Sequence, residues 1–196
     1  MIATNVFLDA IQKAGIEFIS GVPDSLLKHI CAGITNSYSS HNHIIATNEG
    51  SAVGLAIGHY LATSEPALVY MQNSGLGNVI NPILSLADPE VYSIPMVLLI
   101  GWRGEIKDDN SQLTDEPQHK KQGKVTLPLL ESIGIPYKIL DGETDNVAIL
   151  FEEIVKAKPD NIALKYNDKF LTYKELNSKA NSKAKAKSMT NIKLNK

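Results

Sequence analysis

The apolar residues of this chain fall alternately into short continuous runs and into runs with helical spacing. Between residues 44 and 61, a continuous apolar run gives way to apolar residues three and four positions apart. This change of period predicts a strand, a turn at Thr47 and Asn48, and a helix that opens with Glu49. A carboxylate at that position is stabilised by the helix dipole, or it serves a ligand at the end of the strand. The pattern alone leaves both interpretations of Glu49 open.

The same alternation continues along the chain and predicts an α/β fold. Because strands and helices alternate throughout, we expect a doubly wound, mainly parallel six-stranded sheet with helices on both faces. Asp24 or Ser25 is expected to cap the second helix. The dense apolar run that ends at Ile100 is typical of a strand buried on both faces. The six predicted strands cover residues 17–20, 43–46, 67–71, 95–100, 135–140 and 162–166.

A long polar segment, residues 101–122, interrupts this alternation before a helix that carries Leu127 and Leu130. Loops of this length within a compact domain are usually functional or disordered. Beyond Phe170, lysine alternates with small and polar residues. We therefore predict one folded domain over residues 1–168, followed by a Lys-rich tail over residues 169–196 that forms a polar helix and then a disordered end.

Composition narrows the class of protein without identifying a chemistry. The 196 residues are 43% apolar and 20% charged, as in ordinary soluble domains. The formal net charge of −2 gives no reason to expect nucleic-acid or membrane binding. No apolar run approaches the roughly 20 residues of a membrane span, and no signal peptide is recognisable, so a cytoplasmic protein is expected. The single cysteine, Cys31, is interpreted as buried filler. The five histidines are scattered, and no metal site is predicted.

Polar residues crowd the predicted strand-to-helix turns, which share one edge of a parallel sheet. Helix capping explains about half of these residues, but it does not explain Gln72 and Asn73 or the length of the polar segment. The turn at residues 75–77 lacks the third glycine of a dinucleotide loop, and we find no phosphate loop or hydrolase elbow. Motifs of these kinds therefore leave the function open. The polar residues at this edge are Asp24, Ser25, Asn48, Glu49, Gln72, Asn73, Ser74, Trp102 and Arg103.

Six longer motifs follow one another along the chain: Gly21-Val22-Pro23-Asp24-Ser25-Leu26-Leu27, Asn48-Glu49-Gly50, Gln72-Asn73-Ser74-Gly75-Leu76-Gly77-Asn78, Ser85-Leu86-Ala87-Asp88-Pro89, Gly101-Trp102-Arg103-Gly104-Glu105 and Asp115-Glu116-Pro117-Gln118-His119. Their order resembles that in the phosphonopyruvate decarboxylases, and the related sulfopyruvate decarboxylases look similar. Both are thiamine-diphosphate enzymes. The resemblance covers their amino-terminal pyrimidine-binding domain, which corresponds to residues 1–168 here.

The resemblance implies roles for particular residues. Thiamine enzymes need a carboxylate on the pyrimidine ring nitrogen, because it stabilises the tautomer whose imino group deprotonates the thiazolium. Glu49 matches that position, and Asp24 and His119 would lie over the thiazolium as proton-handling or substrate-orienting groups. A solvated loop arginine is the plainer alternative for Arg103. The implied cofactor-binding residues are Glu49, Asn73, Ser74 and Gly75, and the implied substrate-binding residues are Ser25, Arg103 and Gln118.

The chain departs from the phosphonopyruvate decarboxylases in one respect. Their second domain binds the diphosphate through Mg²⁺ with a Gly-Asp-Gly motif, whereas residues 140–142 here are Leu-Asp-Gly. We therefore expect a separate diphosphate-binding subunit or domain to hold the Mg²⁺. We also expect the protein to be a homodimer or a hetero-oligomer.

The reaction that the resemblance implies is decarboxylation of a small 2-oxo acid, 3-phosphonopyruvate, to phosphonoacetaldehyde and CO₂. Three alternatives stay open. In the first, the chain is the alpha subunit of a sulfopyruvate decarboxylase. In the second, it is a non-catalytic interaction domain of the same fold. In the third, it is a flavodoxin-like nucleotide binder. The last alternative lacks a phosphate loop to support it.

Overall fold

Four parallel strands form the central sheet of the fold: β1 (Phe18–Gly21), β2 (His43–Ile45), β3 (Ala67–Gln72) and β4 (Met96–Gly101). Their order across the sheet is β2-β1-β3-β4. The structure is a computed structural model, and it describes residues 3–107, 109–140, 162–166 and 169–172.

Within the described residues, five α-helices accompany this sheet: α1 (Thr4–Lys13), α2 (Lys28–Ser37), α3 (Glu49–Thr63), α4 (Leu76–Pro82) and α5 (Pro117–Ser132). A 3₁₀ turn at Asn73–Gly75 leads into α4, and a π-helical turn at Ile83–Ala87 follows it. The last four helices each begin after the carboxyl end of one parallel strand, so their N-termini start from the same edge of the sheet.

β3 is the strand that joins the two halves of the core. Successive side chains of a strand point to opposite faces of the sheet. Val69 and Met71 accordingly pack with residues of α3 and α4, whereas Leu68 and Tyr70 pack with residues of α1 and α2. All four side chains are fully buried. Helices therefore cover both faces, and the predicted doubly wound, mainly parallel α/β fold is confirmed.

The prediction of six strands in this sheet is not confirmed, because the described residues contribute four. The predicted fifth strand, residues 135–140, forms no strand, although Ile135 and Tyr137 pack against the core. The predicted sixth strand exists as β5 (Ile162–Tyr166), which pairs antiparallel with β6 (Lys169–Thr172) in a separate two-stranded sheet. An apolar run predicts extended backbone, but its pairing partner depends on residues that are distant in sequence.

Two further expectations need correction. β4 lies at an edge of the described sheet, so the side chains of Met96–Ile100 are half-buried and not buried on both faces. The helix α2 begins at Lys28, and no side chain caps it. Asp24 and Ser25 lie before this helix and make other contacts, which are described below.

Several predictions fall partly or wholly outside the described residues. The predicted helix at residues 146–157 lies outside them, as does the tail beyond residue 172. The proposed domain boundary at residue 168 falls between β5 and β6, and the first residues of the predicted tail form β6 and not a helix. The division into domain and tail stays a prediction. None of the helices described is long and apolar enough to cross a membrane.

Candidate functional site

The turns that follow the four parallel strands lie together at one edge of the sheet. The strand register pairs Gly21 with both Ile45 and Tyr70, and it pairs Gln72 with Gly101, so neighbouring strands end close to one another. Open α/β folds bind their ligands at this edge, where helix N-termini and polar turns meet. The candidate site is therefore built from these four turns.

Glu49 lies at the first position of α3. Asn48 caps this helix, because its side-chain oxygen accepts a hydrogen bond from the Ser51 N–H at 2.8 Å. The Glu49 side chain is half-buried, and its Oε2 accepts a hydrogen bond from the Asn78 amide at 2.7 Å. Its Oε1 accepts no hydrogen bond from the residues that the structure describes. One oxygen of the carboxylate is therefore left without a hydrogen-bond partner among these residues.

Gly75 provides the space in which the Glu49 side chain lies. A Cβ atom at residue 75 would overlap Cγ of Glu49 and would lie 2.6 Å from its Oε1. Real Cβ atoms do not approach other atoms so closely, so any larger residue at position 75 would displace the carboxylate. Glycine at this position is explained by that close approach.

Asp24 is buried, with 5% of its surface exposed, and two donors satisfy its carboxylate. Its Oδ1 accepts a hydrogen bond from Gln72 Nε2 at 2.8 Å, and its Oδ2 accepts one from the Leu26 N–H at 3.1 Å. The second bond makes a local turn before α2, not a helix cap. Ser74 donates to the side-chain oxygen of Gln72 at 2.8 Å. Gln72 thereby links the two predicted site residues Asp24 and Ser74.

Arg103 is an anchored side chain with 23% of its surface exposed, not a freely solvated loop arginine. It donates to both carboxylate oxygens of Asp115, from Nε at 2.8 Å and from Nη2 at 2.6 Å. Its Nη1 donates to Ser25 Oγ at 2.9 Å. The hydrogen bonds from Arg103 hold the pKa of the Asp115 carboxyl well below its usual range, and the same pairing raises the pKa of Arg103.

His119 lies in the first turn of α5, because this helix begins at Pro117, inside the segment that was predicted to be a loop. Its Nδ1 lies 2.8 Å from Oδ1 of Asp115. The side chain is 18% exposed. Gln118, which precedes it, is exposed. Of these two predicted site residues, His119 is therefore the one that joins the cluster around Asp115.

Backbone contacts tie the polar segment 102–116 to α5. Gly104 adopts a positive φ of 65°, and a Cβ there would overlap the carbonyl oxygen of His119. Gln112 donates to the carbonyl oxygens of Gly104 at 2.8 Å and Lys120 at 2.7 Å. An isolated bridge pairs Ile106 with Gln112, which turns the segment back on itself. The long segment is thus attached to the helix that carries His119.

Asn73 is buried and connects three parts of the edge. Its amide donates to the carbonyl oxygen of Arg103 at 3.0 Å and to Thr126 Oγ1 at 2.9 Å. Its side-chain oxygen accepts a hydrogen bond from the Arg103 N–H at 3.2 Å. The side chain thereby joins the ends of β3 and β4 to α5. Direct contact of Asn73 with a cofactor stays a prediction.

Replacing Asn73 with alanine is expected to lower the free energy of unfolding by about 1–3 kcal/mol, because the carbonyl oxygen of Arg103 and the buried Thr126 Oγ1 would each lose a hydrogen-bond donor. Denaturant unfolding followed by circular dichroism measures this change. The matched control is Asn36→Ala at an exposed position of α2, where a change within about 0.5 kcal/mol is expected. Equal effects at the two positions would contradict this account of Asn73.

Seven of the nine predicted site residues fall into three groups. Asp24 and Ser74 meet at Gln72, and Glu49 lies against Gly75. Ser25, Arg103 and His119 meet around Asp115. No contact between the Glu49 group and the Asp115 group occurs among the hydrogen bonds of the described residues.

Sequence analysis missed the central role of Asp115 and the contact of Asn78 with Glu49. Asp115 lies four residues before His119, a spacing that brings side chains together across one helical turn. That spacing was a usable signal. The pairing of Asp115 with Arg103 had no such signal, because a turn of the chain between them creates it. Asn78 belongs to α4, and its approach to Glu49 depends on how α3 and α4 pack.

Comparison with known families decides the class of this protein. Residues 1–124 match the family model described as the thiamine pyrophosphate enzyme N-terminal TPP binding domain. The chain belongs to the thiamine pyrophosphate enzymes. Thiamine pyrophosphate is another name for thiamine diphosphate, so the family expected from the motifs is confirmed.

The relatives of this thiamine pyrophosphate enzyme domain are named either sulfopyruvate decarboxylase subunit alpha or phosphonopyruvate decarboxylase. The sulfopyruvate decarboxylase subunit alpha of Methanococcus maripaludis is 37% identical over 137 residues, which are 70% of this chain and 76% of that protein. The subunit of the same name from Methanocaldococcus jannaschii is 40% identical over 100 residues, 51% of this chain and 57% of that one. The phosphonopyruvate decarboxylase of Streptomyces viridochromogenes is 30% identical over 151 residues, 77% of this chain but 36% of its own length.

Proposed function

We propose that this chain is the pyrimidine-binding half of a thiamine-diphosphate-dependent decarboxylase for a small 2-oxo acid. The half-buried Glu49 carboxylate above Gly75, with one oxygen left for a ligand, is the observation that carries this proposal. Membership of the thiamine pyrophosphate enzymes supports it. The names of the relatives support decarboxylation as the reaction.

The residues around Glu49 fit the aminopyrimidine part of the cofactor. Asn78 is a neutral amide that donates to Oε2, so it orients the carboxylate without neutralising it. Gly75 leaves a space that a Cβ would fill. In this arrangement Glu49 would hold a protonated ring nitrogen by a charge-assisted hydrogen bond. Ser74 and Gly75 would border the ring, and Asn73 would support the turn that carries them.

When bound, thiamine diphosphate supplies the carbon nucleophile and the electron sink that decarboxylation requires. The contribution of this chain is to bind, to orient and to handle protons. Glu49 would hold a proton on the pyrimidine ring nitrogen and would thereby favour the tautomer with a basic imino group. Asp24 and His119 would face the reacting end of the site as proton-handling or orienting groups. Gln72 holds the Asp24 carboxylate in a fixed orientation for that task.

Arg103 is suited to the charged end of the substrate. Three of its five N–H groups are engaged by Asp115 and Ser25, which leaves one N–H on each terminal nitrogen. Arginine matches the oxygens of phosphonate and sulfonate groups in charge and shape. Ser25 and Gln118 would complete this subsite. The substrate class that follows is a three-carbon 2-oxo acid with a phosphonate or sulfonate on its third carbon.

The first candidate substrate is 3-phosphonopyruvate, which would give phosphonoacetaldehyde and CO₂. The second candidate is sulfopyruvate. Relatives with the corresponding names support both candidates. The pairing around Arg103 suits either anion, so the substrate is to be identified by assay.

We also propose that a diphosphate-binding subunit, which holds the Mg²⁺, completes the site. An open apolar groove between β2 and α3 supports this, because acidic residues, lysine and arginine are absent from its lining. Ile45 in this groove is 59% exposed, and exposed apolar patches of this kind mark interaction sites. Ser51, two residues after Glu49, lines the same groove. A subunit that docks there would lie beside the first turn of α3.

The test is to co-produce this chain with a subunit that carries the Gly-Asp-Gly motif and a later asparagine. We expect CO₂ release from 3-phosphonopyruvate or sulfopyruvate only when both chains, thiamine diphosphate and Mg²⁺ are present. Pyruvate, which lacks the second anionic group, should react much more slowly. The acid with the higher kcat/KM identifies the substrate. Stable assembly without decarboxylation of either acid would instead favour a non-catalytic domain.

A further inference from the structure

Asp115 is the one carboxylate that both Arg103 and His119 contact among the described residues. Its Oδ1 lies 2.6 Å from Arg103 Nη2 and 2.8 Å from His119 Nδ1, and its Oδ2 lies 2.8 Å from Arg103 Nε. It is 13% exposed. Its position just before α5 is fixed further by the N–H of Glu116, which donates to Oδ1 at 2.8 Å. These four hydrogen-bond contacts together restrain the orientation of the Asp115 carboxylate.

We propose that Asp115 is a positioning residue, which fixes the tautomer of His119 and the plane of Arg103 at the same time. This inference rests on the proposed function for its catalytic consequence, but not for its structural part. An ionised carboxylate can only accept hydrogen bonds. The Nδ1 of His119 must therefore carry its hydrogen, and in the neutral imidazole Nε2 is left as the proton acceptor.

The same carboxylate restrains Arg103 from one side. A side-on pair through Nε and Nη2 fixes the plane of the guanidinium group. Ser25 restrains it from the Nη1 side, at 2.9 Å. The two remaining N–H groups therefore have a defined direction before any substrate arrives. Because both groups share Asp115, the distance between the anion-binding cation and the proton-handling imidazole is fixed as well.

The plainer alternative is that Asp115 only fastens the polar segment to α5. The two accounts differ in what removal of the carboxylate does. An asparagine would not separate them, because its amide oxygen would occupy the place of Oδ1, where three donors meet, and would still accept from His119 Nδ1. Asp115→Ala removes this acceptor and should therefore permit His119 to adopt the tautomer with hydrogen on Nε2. A fastening role alone would leave the tautomer as it was.

The decisive measurement is ¹⁵N NMR of the imidazole nitrogens in the full chain, without cofactor, substrate or partner. Signals of His119 are identified by their loss in His119→Gln, and the neutral form is selected by raising the pH. We expect wild-type His119 to have hydrogen on Nδ1, and Asp115→Ala, shown by circular dichroism to be folded, to give the Nε2 form or a mixture. The exposed His29 serves as an internal reference. An unchanged His119 tautomer in folded Asp115→Ala would overturn the proposal.

The matched control is Asp109→Ala, because Asp109 is an exposed carboxylate in the same segment that accepts the Ser111 N–H at 2.8 Å. In the reconstituted enzyme, Asp115→Ala should lower kcat about 10²-fold, within the range of a positioned acid–base group. Asp109→Ala should leave kcat within about twofold of wild type, as expected at an exposed position away from the cluster. If the tautomer shifts as expected but the wild-type complex decarboxylates neither acid, the positioning role stands and the proposed reaction fails.

Discussion

Replacement of Glu49 with glutamine is expected to lower the rate of decarboxylation in the reconstituted enzyme by about 10²- to 10⁴-fold, the contribution of a well-placed acid–base group. Glutamine keeps the size of the side chain and its contact with the Asn78 amide. It removes the negative charge that would stabilise a protonated pyrimidine nitrogen. The fold and the assembly should therefore persist while the chemistry is lost. Steady-state kinetics at saturating cofactor and size-exclusion chromatography together measure both properties.

The control for this experiment is Glu65→Gln. Glu65 is an exposed glutamate just beyond the other end of α3, so the charge change is the same and the helix is the same. Its effect on kcat should stay within about twofold, because an exposed side chain away from the site contributes little. Decarboxylation by Glu49→Gln at a rate close to wild type would refute the assignment of Glu49 to the cofactor.

Replacement of Gly75 with alanine should be the second most damaging change, with a loss of about 10- to 10³-fold in kcat/KM, because small displacements of catalytic groups have costs of this order. The added Cβ would overlap the Glu49 side chain. Residue 75 has a φ of −72°, which alanine adopts without strain. The backbone should therefore stay in place and the carboxylate should move. Kinetics and the affinity for thiamine diphosphate both report this displacement.

Gly77→Ala is the matched control, since it lies two residues away and a Cβ there would meet no atom within 4 Å. It should leave kcat/KM nearly unchanged. The double variant Glu49→Gln with Gly75→Ala separates a direct effect from an indirect one. If Gly75→Ala acts through Glu49, it should cause little further loss once the carboxylate is absent. Full additivity of the two losses would contradict that mechanism.

The helices and strands that neighbouring residues determine were predicted best from the sequence. The apolar run of β3 and the change of period at Glu49 depend on neighbouring residues, and both elements form where they were predicted. Their agreement follows from the different repeats of strands and helices. The edge of the sheet that carries the site could be predicted as well, since in a parallel sheet all strand-to-helix turns share it.

Features that depend on distant residues could not be predicted in this way. Residues 135–140 have an apolar pattern that suits a strand, yet this pattern does not specify a pairing partner. The early start of α5 is an exception, because proline favours the first turn of a helix and Pro117 was therefore a local signal that sequence analysis did not use. The cluster around Asp115 needs both that helix and the returning polar segment. The sequence therefore contains the residues of this cluster, but it does not show that they come into contact.

The hairpin formed by the polar segment has a consequence for how this protein can diverge. The bridge between Ile106 and Gln112 closes the loop between these two residues. The Gln112 side chain holds that loop against the carbonyl oxygens of Gly104 and Lys120. Lengthening a closed surface loop has a small entropic cost, about 0.6 kcal/mol for each doubling of its length. Insertions at the tip should thus accumulate among descendants of this gene without disturbing Arg103 or His119. Evolution could therefore change the surface loop beside the site while the cluster of Arg103, Asp115 and His119 stays unaltered.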